Sequence, residues 1–133
     1  MNNTTLTGRL TRDPEVRHNV GPNGKTSVAK YTLAVRRPRA KQGHPTADFI
    51  RCTAFGPKAA FAENYLAKGM KVEVSGSIRT GSYVNKEGQT INTFELIVGD
   101  QEFAESQKKN AEIYANNHQP QIGDNGDSEL PFA

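Results

Sequence analysis

The chain has 133 residues, enough for one domain with a buried core, but only 35% are hydrophobic, so part of it contributes no core. No run approaches the roughly 18–20 apolar residues that cross a bilayer. Met1–Thr5 offers neither a basic nor an apolar signal region, and the single Cys52 has no disulfide partner, so a cytoplasmic location away from membranes is expected.

The net charge of +3 conceals an asymmetry: all 17 Lys and Arg lie at or before Lys109, beside 10 of the 14 acids. Only acids follow: Glu112, Asp124, Asp127 and Glu129. A basic body suits a polyanionic partner, although charge scattered for solubility produces the same balance.

The first predicted strand covers about 3–12, with Leu6, Gly8 and Leu10 on one face and Thr5, Thr7 and Arg9 on the other. A turn at Asp13-Pro14-Glu15 and a loop through Gly21-Pro22-Asn23-Gly24 follow. The second strand, about 26–36, sets Ala29, Tyr31, Leu33 and Val35 against Lys30, Thr32 and Arg36, and a polar loop, 37–47, leads to a third at 48–55. A helix runs from Pro57 to Lys68, with proline suited to its first position and Gly69 to the residue past its end. Phe61, Tyr65 and Leu66 form its apolar stripe.

The fourth strand, about 70–80, turns Val72, Val74, Gly76 and Ile78 inward. After a hairpin at 85–88, the fifth, about 90–99, turns Phe94, Leu96 and Val98 inward. Five strands with one helix between the third and fourth is the element order of an all-β OB-fold barrel, with a small open sandwich as the competing arrangement. From Gln107 the composition turns polar, so 1–106 reads as the domain, 107–123 as a flexible linker and 124–133 as a disordered acidic tip.

Alternation along 48–55 puts Ile50, Cys52 and Ala54 on one face and Phe49, Arg51, Thr53 and Phe55 on the other. Arginine is seldom fully buried, so the face with Arg51 is the wet one. Two exposed phenylalanines beside a guanidinium suit the stacking of unpaired bases, or else they cover the barrel's ends or meet another subunit. Arg79 and Tyr83, followed by Lys86, repeat the pairing of cation and ring on the hairpin, where a solvated tip is the plainer alternative. The loop with Arg36, Arg37, Arg39 and Lys41 suits phosphate contacts that supply affinity without reading sequence. His18, His44 and His118 lack ligand spacing, one cysteine makes no zinc site, and no phosphate-cradling or nucleophile-elbow motif is present. Neither enzymatic activity, a metal nor a cofactor is expected.

The opening run Asn3 to Arg17, the stretch Thr46 to Lys58, and Tyr65-Leu66-Ala67-Lys68-Gly69 through Val74-Ser75-Gly76-Ser77-Ile78-Arg79-Thr80 together resemble bacterial single-stranded DNA-binding proteins over about residues 2–100. The resemblance implies an OB-fold that assembles as a homotetramer, wraps single-stranded DNA without regard to sequence, and protects it in replication, recombination and repair. By position, Phe49, Phe55 and Tyr83 fall where the family keeps stacking aromatics. Phe49 and Tyr83 stand where tryptophan is common, and Arg39 lies near a further family tryptophan. Arg9, Arg36, Arg37, Arg39, Arg51, Arg79 and Lys86 are the expected phosphate contacts. The tail resembles the family's acidic tip, which recruits replication and repair proteins; here Asp124, Asp127, Glu129, Leu130, Pro131 and Phe132 match it, and Ala133 moves the terminal carboxylate one residue on.

Overall fold

A computed structural model describes residues 1–117. The chain runs β1 (Thr4–Leu10), β2 (Glu15–Val20), β3 (Thr26–Arg36), β4 (Ala47–Phe55), α1 (Pro57–Tyr65), β5 (Lys71–Val84), β6 (Thr90–Phe103) and α2 (Gln107–Asn117). The strands form one sheet in the order β1-β5-β6-β4-β3-β2. It closes because β1 also pairs with β3, through Arg9 opposite Ala34 and Leu10 opposite Leu33. Neighbours are antiparallel except β4 and β6, which meet in parallel through Cys52–Leu96 and Thr53–Ile97. Closure by a first strand shared between two neighbours, with a helix between β4 and β5, is the expected OB-fold barrel.

Leu10, Ala29, Tyr31, Leu33, Cys52, Ala54, Met70, Val72, Val74, Leu96 and Val98 fill the interior, each at most 5% exposed. All but Met70, which lies just before β5, are the inward members of alternating strands, as the period-two pattern requires. The buried Tyr31 keeps its hydroxyl satisfied by donating to Gln101 Oε1 at 2.7 Å, and burial raises its phenol pKa. Dry surroundings likewise push the Cys52 thiol up to about 12. Its thiol is therefore expected to resist an aromatic disulfide reagent at pH 8 in the folded protein and to react fully after denaturation. Prompt native-state labelling would contradict this packing.

Four expectations are corrected. A strand, β2, occupies Glu15–Val20, between the expected turn at Asp13-Pro14-Glu15 and the expected loop at Gly21-Pro22-Asn23-Gly24. Only Val16 and Val20 of it are half-buried, so its alternation is weak; pairing with β3, including Val16 opposite Ala29, makes it a strand. The helix ends at Tyr65, and its buried residues are Ala59 and Ala62. Small side chains let its backbone lie close on the barrel, while Phe61 and Tyr65 sit at the margin, ring centroids 5.1 Å apart, with Phe61 5.4 Å from Phe103. Leu66 is buried just past the helix end.

Phe94 was expected inward but is 48% exposed. The β5–β6 ladder continues past the barrel to the pair Val84–Thr90, so Phe94, opposite Thr80, leaves the core although it shares a face with Leu96. Lastly, 107–117 is helical rather than a linker. Asn110, Ile113 and Tyr114 recur at helical spacing on one face; Asn110 is fully buried, and Ile113 and Tyr114 pack on the core. The remaining linker, 118–123, and the tip, 124–133, lie outside the described residues. No helix among the described residues is long and apolar enough to cross a membrane.

Candidate functional site

The site starts from β4, whose outward side chains the register aligns with those of β3: Ala34 opposite Phe49, Thr32 opposite Arg51, Lys30 opposite Thr53 and Val28 opposite Phe55. Phe49 is 67% and Phe55 40% exposed, whereas Cys52 and Ala54 are fully buried and Ile50 half-buried. Alternation thus turns both rings to solvent with Arg51 between them. Thr53 shares their face but is covered, because its hydroxyl donates to Glu95 Oε2 of β6 at 2.6 Å.

That bond joins β4 to the ribbon formed by β5 and β6 beyond the barrel. Glu95 is opposite Arg79, and Arg79, Gly81 and Tyr83 alternate along the same face of β5. The exposed Tyr83 and Arg79 therefore continue the surface that carries Phe49, Arg51 and Phe55. Lys86 is exposed in the ribbon's turn, which Asn85 organises by accepting from the backbone N–H groups of Glu87 and Gln89. The side chain of Asn2 exchanges two 2.9 Å hydrogen bonds with the backbone of Ile78, bracing the ribbon where it leaves the barrel.

A concavity of about 500 Å³ lies along this surface, lined by Arg12, Lys30, Arg51 and Phe94 among others. Its cations are balanced by Asp13, Glu15 and Glu95. Two of these carboxylates are engaged: Asp13 accepts from the Lys68 backbone N–H at 2.8 Å and Glu95 from Thr53. A second concavity, about 550 Å³, gathers Arg36, Arg37 and Arg39 in the loop after β3. The Arg37 backbone N–H closes that loop on the Thr46 carbonyl at 2.8 Å.

The expected phosphate contacts divide into two groups. Arg36, Arg39, Arg51, Arg79 and Lys86 are exposed and make no ion pair among the described residues. Arg37 is tied to Asp48, donating from Nη2 at 2.7 Å and Nε at 3.0 Å. That contact holds the Asp48 carboxyl below its usual range. Arg9 pairs with Glu105 and donates to the Gly69 carbonyl at 2.9 Å, fastening β1 to the segments flanking β5 and β6. The hydrogen bond from Arg9 likewise lowers the Glu105 pKa.

Sequence reasoning passed over Lys30 and Phe94. The alternation of the second predicted strand, with Lys30 opposite the inward Ala29 and Tyr31, already marked the first. No local signal marked the second, since its parity is that of a core residue. Among the described residues no group of three or more His, Cys, Asp or Glu side chains could hold a metal. His18 instead meets Ser27 Oγ at 3.1 Å and Glu63 Oε2 at 3.1 Å. The expected tip residues and His118 lie outside the described residues.

Residues 1–104 match the model of the single-strand binding protein family. The chain is 38% identical over 131 residues to a single-stranded DNA-binding protein 3 of Clostridium acetobutylicum, covering 98% of this chain and 90% of that one. It is 39% identical over 141 aligned positions to a single-stranded DNA-binding protein 2 of Staphylococcus aureus, covering 99% of each. With a single-stranded DNA-binding protein of Halalkalibacterium halodurans it shares 44% identity over 106 residues, 79% of this chain but 61% of the relative.

Proposed function

The chain belongs to the single-strand binding protein family, and from that premise we propose that it binds and protects single-stranded DNA without regard to base order in replication, recombination and repair. The observation that carries the reading is the outward pair Phe49 and Phe55 on β4, with Arg51 between them. Every nucleobase has a π-face, so stacking on these rings and on Tyr83 is tolerant of sequence and worth about 1–3 kcal/mol per base.

Phosphates fall to Arg36, Arg39, Arg51, Arg79 and Lys86; Arg37 joins them by exchanging Asp48 for a phosphate. Arg9 is a weaker phosphate contact, since it already holds a carboxylate and a backbone carbonyl. The protein acts in the cytoplasm as a homotetramer, without enzymatic activity, cofactor or metal. Its tip, Asp124 to Phe132, recruits replication and repair proteins.

Six phosphate-paired cations predict a slope of log affinity against log salt of about −4.2 for a single strand. Titrating labelled oligo(dT) between 50 and 200 mM salt is then expected to lower affinity about 300-fold. Oligomers of mixed sequence and similar flexibility should follow the same line. Affinity that ignores salt, or equal preference for duplex DNA, would overturn the reading.

A further inference from the structure

The exposed large aromatic residues among those described are Phe49, Phe55, Tyr83 and Phe94. The first three face one continuous surface, and Phe94 lies at its margin, where it lines the concavity beside Arg51. On the ribbon, cross-strand partners share a face: Arg79 with Glu95 and Tyr83 with Ile91 on one side, Thr80 with Phe94 and Ser82 with Asn92 on the other. Tyr83 and Phe94 therefore project from opposite faces of the same two-stranded ribbon. Among the described residues, the ribbon side chains that line the hollow beside Phe94 are polar. Its partner Thr80 and the neighbouring Ser82 and Asn92 are exposed and polar, and with Gly81 and Thr93 they line a concavity of about 480 Å³ against the ring.

Phe94 also lines the concavity that contains Arg51 and Lys30. One ring thus forms a wall of both hollows, and the second continues the first around the ribbon's edge. An apolar ring among hydroxyls and an amide matches a nucleobase, which offers a π-face for stacking and a polar edge for hydrogen bonds. Greasy protein surface would leave those polar groups unpaired.

We propose that Phe94 is a further base-stacking residue, on the opposite face of the ribbon from Tyr83, so that a single strand leaving β4 is gripped on both faces of the β5–β6 ribbon. Thr80, Ser82 and Asn92 supply sequence-tolerant hydrogen bonds to the edge of the base on Phe94. The proposal rests on the DNA-binding reading above.

Oligo(dT) affinity is measured for Phe94→Ala, Phe94→Leu and Phe94→Tyr beside Phe55→Ala, with mass by light scattering. Phe94→Ala and Phe94→Leu are expected to weaken binding about 5- to 150-fold, while Phe94→Tyr retains it. Light scattering should give an unchanged mass for all of them, and photo-crosslinking of bromodeoxyuridine oligomers should label Phe94. Leucine keeps apolar bulk without a π-face, so the leucine–tyrosine comparison decides the matter even if the alanine variant is unstable. Full affinity in Phe94→Leu while Phe55→Ala is weakened removes this ring from the DNA path and leaves the β4 reading intact. Full affinity in Phe55→Ala as well removes both. A change of mass in the Phe94 variants makes the ring a contact between copies of the chain and overturns the proposal.

Discussion

Replacing Gly76 by alanine is expected to cost about 3 kcal/mol or more of folding stability, toward the upper end of overpacking substitutions. A Cβ at this position would lie 1.9 Å from the Ile97 carbonyl oxygen, with the Ile97 carbonyl carbon at 2.9 Å and the Gly99 nitrogen at 3.0 Å. All three are backbone atoms, so no side chain can rotate away. Gly76 also pairs with Thr4 of β1 and Val98 of β6, at the register shift between Ser75 and Gly76. Moving the strand to relieve the clash would break the hydrogen-bonded ladders on both edges of β5.

Gly81, on the same strand, is the control. Its added Cβ would meet only Thr93 Oγ1, at 3.1 Å, the end of a side chain that can turn. Urea unfolding followed by circular dichroism should show a large fall in midpoint for Gly76→Ala and a small one for Gly81→Ala. Equal midpoints for Gly76→Ala and the unaltered protein would mean that β5 and β6 do not approach this closely.

The second large effect concerns binding rather than folding. Substituting Phe49 and Phe55 together by alanine is expected to lower affinity for oligo(dT) by about 2–6 kcal/mol, the sum of two stacks of about 1–3 kcal/mol each. The two rings are six residues apart on one strand, about 20 Å at ~3.3 Å per residue, far enough for their losses to add. Folding should hardly change, because Phe49 is 67% exposed and Phe55 40%. Titration by fluorescence anisotropy, paired with a thermal melt, separates the two effects. A variant with the original melting temperature and the original affinity would show that these rings do not carry the DNA. Loss of stability in step with affinity would show that they pack on protein.

The alternation of β4 was legible because burial on one face and solvation on the other impose a strict period of two, which Ile50, Cys52 and Ala54 satisfy against Phe49, Arg51 and Phe55. The same rule misplaced Phe94, since parity says which side of a strand a residue occupies but not whether the barrel still lies on that side. Where β5 and β6 outrun the barrel, the inward face becomes an outward one. Residues 107–117 of the expected linker are helical for a related reason. Averaged composition hides the spacing of Asn110, Ile113 and Tyr114, and only docking on the barrel makes that spacing a buried face.

Strand parity, the proline and glycine that bracket α1, and the residues carrying the family resemblance are local properties, written into neighbouring positions and readable without a partner. By itself the amino-acid order thus determined the barrel, its helix and the outward rings of β4. Only tertiary structure decided which cations remain available, for Arg9 and Arg37 meet Glu105 and Asp48, carboxylates 96 and 11 residues away. It likewise decided that α1 rests on alanines and that Phe94 faces water. Each of these depends on what a distant segment places opposite the residue, and folding alone brings the two together.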